Sequence, residues 1–301
     1  MLAPIAFFAY NRPEHTRKSL ESLSQNEGAE SSDLFIFCDG AKNLEDEEAV
    51  RQVKEVARSK QWCGNVHVIE QKQNKGCANS IIQGVTKTCS EYGSVIVLED
   101  DLIISPSFLH YMNSALDLYQ NEESIMQISG YMFPIEFKSL KTDTCLLPFT
   151  ASWGWATWER AWKHFDPDMK GYEKLKSNEK QKYKFDLNGS YPYFHMLEDQ
   201  LNGKVDAWCI RWYLSAYMLD GLTLYPKSSL VSNIGFDGSG THCGISASFN
   251  TDLPENTILS MPSEIKVNHE VVNLVCKYLR SLSQATSLLQ RIKNKLLQLR
   301  N

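Results

Sequence analysis

The chain lacks most of the features that assign a protein quickly. No apolar stretch approaches the ~18 residues of a membrane span, and neither an internal repeat nor a low-complexity tract interrupts its 301 residues. None of the eight cysteines forms a CxxC or other metal-ligand spacing, and a chain of this length needs no disulfide framework to hold a core. They read as reduced thiols, many of them small core residues. Basic charge is not in excess: a net charge of −5 argues against a dedicated nucleic-acid binder. The opening MLAPIAFFAYNRPEHTRKSL has an apolar run of eight residues from Ala3, with no basic segment before it and no small-residue cleavage site after it. It does not read as a signal peptide. The expectation is a cytoplasmic protein, soluble or resting on the inner face of the membrane.

What is present is an alternation. Short apolar runs at 3–10, 33–38, 65–70, 94–98 and 124–129 predict buried parallel strands. Helical patterns over 13–24, 44–60, 77–92 and 105–120 separate them, with Pro13 in a first turn and Ser105-Pro106 as an N-cap followed by proline. Each of the first four strands hands over to a polar turn: Asn11-Arg12, Asp39-Gly40, Asn74-Lys75-Gly76, and Glu99-Asp100-Asp101. Open α/β sheets bind ligands beyond the carboxyl ends of their strands, so all four turns should line one site.

From about Thr144 the pattern changes. A tryptophan-rich segment, ASWGWATWERAWKHFD, leads into a basic, polar stretch to Lys184, then a helix or two, a strand, and the glycine-rich NIGFDGSGTHCG. The predicted organisation is one α/β domain over 1–255, with a nucleotide-binding half to residue 130 and an acceptor half over 131–255, followed by a helical tail over 256–301. In that tail Val271, Val275, Tyr278, Leu282, Ala285, Leu289, Ile292, Leu296 and Leu299 form a heptad-like stripe. Residues 271–301 hold six Lys or Arg and no acid, and removing them from the total of −5 leaves −11 for residues 1–270. A basic amphipathic helix over 266–301 suits an anionic membrane surface; it suits equally well the body of the protein or a second copy.

The oddest passage is SVIVLEDDLIISPSF, where a buried strand ends in three adjacent acids. Such a cluster repels itself and resists desolvation unless a positive partner joins it. A hard divalent cation, Mg²⁺ or Mn²⁺, is the economical partner, and such ions commonly combine one or two carboxylates with phosphate oxygens. The plainer reading is a solvated acidic turn favoured by the next helix N-terminus.

VIVLEDDLIISPSFLHYM resembles the corresponding stretch of N-acetylglucosaminyltransferase I and its bacterial relatives, which are inverting, metal-dependent GT-A glycosyltransferases. Leu102 and Ser105-Pro106-Ser107-Phe108 follow the acids as they do there. PIAFFAYNRP, FIFCDG, QNKGCANSI, SWGWATW, GKVDAWCIRWY and LVSNIGFDGSGTHC are similar, in order, to further segments of that family and of bacterial capsule and O-antigen sugar transferases. The resemblance implies a GT-A fold, a nucleotide-sugar donor, a saccharide or lipid-linked acceptor and a Mn²⁺ or Mg²⁺ cofactor.

It also implies roles. Asp101 becomes the metal ligand, while Glu99 and Asp100 contact ribose or sugar. Asp39 accepts the uracil imide proton, which selects a UDP donor; an Asp-Gly turn is the plain alternative. Tyr10 stacks on the base and Arg12 pairs with phosphate or caps its own turn. Gly76 opens a helix N-terminus suited to anions. Trp153 and Trp155, flanking Gly154, face substrate, whereas Trp158 and Trp162 pack on a helix. His242 reaches the diphosphate as its loop closes, or is simply a surface histidine. Asp206 is the candidate general base, or the N-cap of a helix beginning near Ala207. Some relatives carry the aspartate directly after the tryptophan, where this chain has Cys209, so Glu198 and Asp199 stand as runners-up. Two other classes compete: a nucleotidyltransferase, which YNRPEHT does not suit for want of a basic glycine-rich loop, and a non-catalytic carbohydrate binder.

Overall fold

In a computed structural model, residues 2–137, 140–238, 251–255 and 259–282 are described. The predicted alternation forms one wall of a mixed sheet. Strands β1 (Ile5–Ala9), β2 (Asp33–Cys38), β3 (Asn65–Glu70) and β4 (Ser94–Glu99) are joined by helices α1 (Pro13–Ser24), α2 (Glu47–Arg58) and α3 (Cys77–Tyr92). β1 pairs in parallel with both β2 and β4, and β2 with β3. β1 is buried along its whole length, which is why it reads as an unbroken apolar run. The helices stop for local reasons. Pro13 starts α1 where a missing N–H costs nothing. Gly93, in the left-handed region at φ 80°, ends α3 by returning its N–H to Cys89 O at 2.8 Å.

Beyond β4 the topology departs from the expected parallel series. A short β5 (Leu102–Ile104) follows the acids directly, so α4 runs over Phe108–Leu118 with Ser107, not Ser105, at its N-cap. β6 (Ile125–Ser129) does not adjoin β4. Between them lies β8 (Trp155–Trp158), antiparallel to both, and the full order is β3-β2-β1-β4-β8-β6-β9-β7, with β7 at Thr144–Leu147 and β9 at Leu222–Pro226. β10 (Val231–Asn233) pairs antiparallel with β5 in a separate two-stranded ribbon.

The reversal at β8 sets the site. Trp155 lies opposite Val97 of β4 and Ser129 of β6, so the start of β8 and the end of β6 share the edge where β1–β4 end. The polypeptide around Trp153 and Tyr131 therefore meets the acidic turn.

The interior holds two apolar clusters. One surrounds β1–β4, α3 and α4, and the other packs β7 against α8 (Tyr193–Leu201) and α9 (Trp208–Tyr217). Between β8 and α8 lie three short helices, α5 (Glu159–Trp162), α6 (Tyr172–Lys176) and α7 (Glu179–Phe185). Residues 269–282 form a last helix, α10, whose Val271, Val275, Cys276 and Leu279 are buried in the second cluster. Part of the basic stripe is thus occupied by the body of the protein; from Ala285 onward the stripe lies outside the described residues. Among the described residues no helix is long and apolar enough to cross a membrane.

Candidate active site

The acids are not left to themselves. Arg12, on the turn after β1, forms an ion pair with Asp100 and reaches Asp101 Oδ2 through its other terminal nitrogen at 3.1 Å. The sequence offers Arg12 to a phosphate or to its own turn. Folding instead brings it across 88 residues onto the acids, because β1 and β4 are neighbours. The two negative charges raise the Arg12 pKa despite its burial. Asp100, 3% exposed, also faces the Tyr10 N–H at 3.4 Å. Burial, then repulsion from Asp101 and Asp100, pushes the Glu99 carboxyl above its ordinary range, with Arg12 opposing. Glu99 accepts from the Cys77 thiol at 3.9 Å.

Asp101 meets the ribbon from its other side. Ile234 donates its N–H to Asp101 O at 2.8 Å, and a Cβ on Gly235 would collide with the Asp101 carboxylate. Gly235 is therefore required for close approach. It went unremarked in the sequence, although the glycine-rich segment that holds it was the available signal.

Asp39 braces its own loop. Its Oδ1 accepts from the N–H groups of Gly40 (2.8 Å) and Lys75 (2.9 Å), and its Oδ2 accepts from Gly76 N–H (3.0 Å) and Asn74 Nδ2 (3.2 Å). A carboxylate offers about four acceptor positions, and all are used to clasp the loop before α3. The same loop fixes Gly76, whose φ of +80° is a glycine conformation.

Tyr10 and Asn11 are held by a residue the sequence reading missed. Asp46 accepts from the Tyr10 hydroxyl and from Asn11 Nδ2, both at 2.8 Å. Burial and this bond push the Tyr10 pKa up to about 12. Nothing local in NLEDEE distinguishes Asp46 from its acidic neighbours; only the return of β2 beside β1 does.

Asp206 is brought to the same edge. A Cβ on Gly76 would lie 3.5 Å from Asp206 Oδ2, while Asp206 Oδ1 accepts from Arg211 Nη2 at 2.9 Å. It does not cap α9: the N-cap is Ala207, with no side-chain bond. The runners-up are engaged by near neighbours in the chain. Glu198 lies 3.3 Å from His195, and Asp199 pairs with Lys204 at 2.8 Å.

The tryptophans divide differently from the expectation. Trp155 is fully buried in β8, stacked on Trp208 at 5.0 Å, and is a correction: it is core and faces no substrate. Two residues apart on one strand would share a face, but β8 begins only at Trp155 and the left-handed Gly154 turns the chain before it. Trp158 and Trp162 are core residues as expected, though Trp158 ends the strand rather than sitting one helical turn before Trp162. Gly154, at φ +58°, presses against Phe108 and Val231 and makes the bend that separates Trp153 from β8. Trp153 lies edge-on to Tyr131 at 4.6 Å and to Phe236 at 5.5 Å. These rings line a cavity of about 300 Å³ that also includes Phe133, Tyr193 and Cys209. His242 lies outside the described residues.

Among the described residues no three His, Cys, Asp or Glu side chains form a ready-made metal cage. The hard-oxygen set of Glu99, Asp100 and Asp101 nevertheless fits an ion that arrives with phosphate oxygens, which needs only one or two protein carboxylates. Asp101 is the better placed, since Arg12 holds it through the longer of its two contacts.

Similar solved structures include S. aureus TarS 1–349, at 12% identity and a TM-score of 0.46 over 77% of this chain and 59% of that one. Another is a cytidylyltransferase from Leptospira borgpetersenii serovar Hardjo-bovis (strain JB197), at 17% identity and a TM-score of 0.36 over 56% of this chain and 65% of that one. The chain thus spans about three fifths of the length of those proteins. No curated protein matches it in sequence. Residues 5–182, more than half of the chain, match the family described as Glycosyl transferase family 2. The protein belongs to glycosyl transferase family 2, with the GT-A fold of a mostly parallel sheet flanked by helices.

Proposed function

We propose that the chain transfers a sugar from a nucleotide-sugar donor to an acceptor hydroxyl with inversion. The observation that carries this reading is the convergence, on one sheet edge, of the acidic turn, Asp206 and an aromatic cavity. Asp206 accepts the proton of the acceptor hydroxyl as that oxygen attacks the anomeric carbon in line. The nucleoside diphosphate leaves from the opposite face, over Glu99–Asp101, where Arg12 can turn from the carboxylates to phosphate. Tyr10, braced by Asp46, offers a ring for the base. Glu99 and Asp100 contact ribose or donor sugar. Asp101 would hold a Mn²⁺ or Mg²⁺ ion, which would supply Lewis-acid stabilisation of the diphosphate.

The preference for UDP rests on family resemblance alone. The same resemblance supports a hexosyl or N-acetylhexosaminyl donor, a lipid-linked acceptor, and a role in bacterial capsule or O-antigen synthesis at the cytoplasmic membrane face. A screen of nucleotide sugars with Mn²⁺ present and with EDTA tests the core of the reading. Metal-dependent binding or hydrolysis of at least one donor is expected, and none at all would overturn it.

A further inference from the structure

We infer that the aromatic cavity is the acceptor subsite and that it selects an uncharged sugar ring. The inference rests on the proposed transfer reaction and names the substrate class that this site takes.

Its position assigns it to the acceptor. Cys209, three residues after Asp206, lines the cavity, so the base and the wall come from one segment at the start of α9. On the opposite side Phe236 follows Gly235, which is packed against Asp101. The cavity walls are thus chain neighbours both of the proposed base and of the glycine packed on Asp101, though neither carboxylate lines the cavity itself.

Its walls define the ligand. Trp153, Tyr131, Phe133, Tyr193, Tyr213 and Phe236 present aromatic surface, and among the described residues no Asp, Glu, Lys, Arg or His lines the cavity. Aromatic faces pack against the apolar C–H faces of a pyranose. The polar groups present are neutral: Thr150, Ser152 and tyrosine hydroxyls. Tyr131 contributes its ring to the wall and is 4% exposed. At about 300 Å³ the cavity is at the small end of ligand sites, room for a single ring. A uronate or sugar phosphate would lose its hydration there and gain no cation.

Saturation-transfer NMR on the full chain with methyl β-glucoside, methyl β-N-acetylglucosaminide, methyl β-glucuronide and n-hexanol tests the inference. At least one neutral glycoside should bind ~10-fold or more tightly than the glucuronide, given the desolvation of an unpaired carboxylate. Trp153→Leu should lose that signal without a change in fold by circular dichroism. Ser152→Arg should shift the preference toward the glucuronide. Equal binding of neutral and charged glycosides overturns the selection. Binding of hexanol with no glycoside overturns the sugar assignment. Donor hydrolysis measured on the same samples separates the two readings: glycoside binding without any donor turnover spares the cavity and sinks the transferase, whereas turnover without glycoside selection does the reverse.

Discussion

The two ends of the sheet's carboxyl edge work by opposite means. On the β3-β2-β1-β4 side, charge is gathered and then cancelled. Arg12 holds Asp100 and Asp101, four donors saturate Asp39, and Asp46 clasps Tyr10 and Asn11. On the β8-β6 side, aromatic rings meet one another and no charged side chain among the described residues enters the cavity. The difference teaches where each kind of recognition is affordable. Closely spaced carboxylates need fixed partners, which rigid parallel strands deliver. An apolar wall needs only shape, which can be assembled from a bend at Gly154, the end of β6 and the start of α9.

The comparison can be broken from either side. The largest effect is expected from Asp206→Asn, which keeps size and removes the base: kcat should fall by about 10²–10⁴-fold with donor KM little changed. Initial-rate kinetics on an identified donor check this, and a loss under threefold would remove Asp206 from the chemistry.

Arg12→Met comes next. It leaves Asp100 and Asp101 facing each other with no cation, and removing one partner of a buried pair costs about 3–5 kcal/mol. Urea unfolding should show a lower midpoint, and millimolar Mn²⁺ should restore part of the loss by replacing the missing charge. An unchanged midpoint would mean that the acids are hydrated rather than paired.

The tryptophans separate core from site. Trp155→Ala should cost about 3–5 kcal/mol because Trp155 is wholly enclosed. Trp153→Ala, at the cavity wall, should cost markedly less stability while raising acceptor KM. If both variants lose equal stability, the division between core and wall is wrong.

The smallest effect is a pH dependence. Asp143 accepts from the N–H and hydroxyl of Ser260, tying β7 to the segment before α10, and these bonds lower its pKa from the usual 3.8. A depressed carboxyl adds stability that is fully present above its unfolded value and is lost as pH falls through its folded one. Asp143→Asn should therefore lower thermal stability slightly at neutral pH, with the difference from wild type vanishing as pH falls below about 4, as differential scanning calorimetry would record.

How far the residues alone reached depended on distance along the chain. β2, β3, α1 and α3 occupy the ranges their patterns predicted, because each rests on local apolar runs, Pro13 and Gly93. The acidic turn sits at the edge its strand predicted, and Asp206 lies beside Gly76. β8 was not legible: WATW is only four residues long and gives no local sign that it will slot between β4 and β6. Nor did the sequence expose β5, three residues long, whose partner β10 lies more than a hundred positions away.

The sequence by itself determined an α/β sheet with polar turns at its carboxyl edge, three acids among them, and an aromatic second half. Only the tertiary structure decided which charges are already spent, which tryptophan is core, and which glycine lets the ribbon touch Asp101. The reason is physical. Secondary structure and turns follow from neighbours a few residues apart, whereas ion pairs, saturated carboxylates and cavity walls depend on which strands end up side by side.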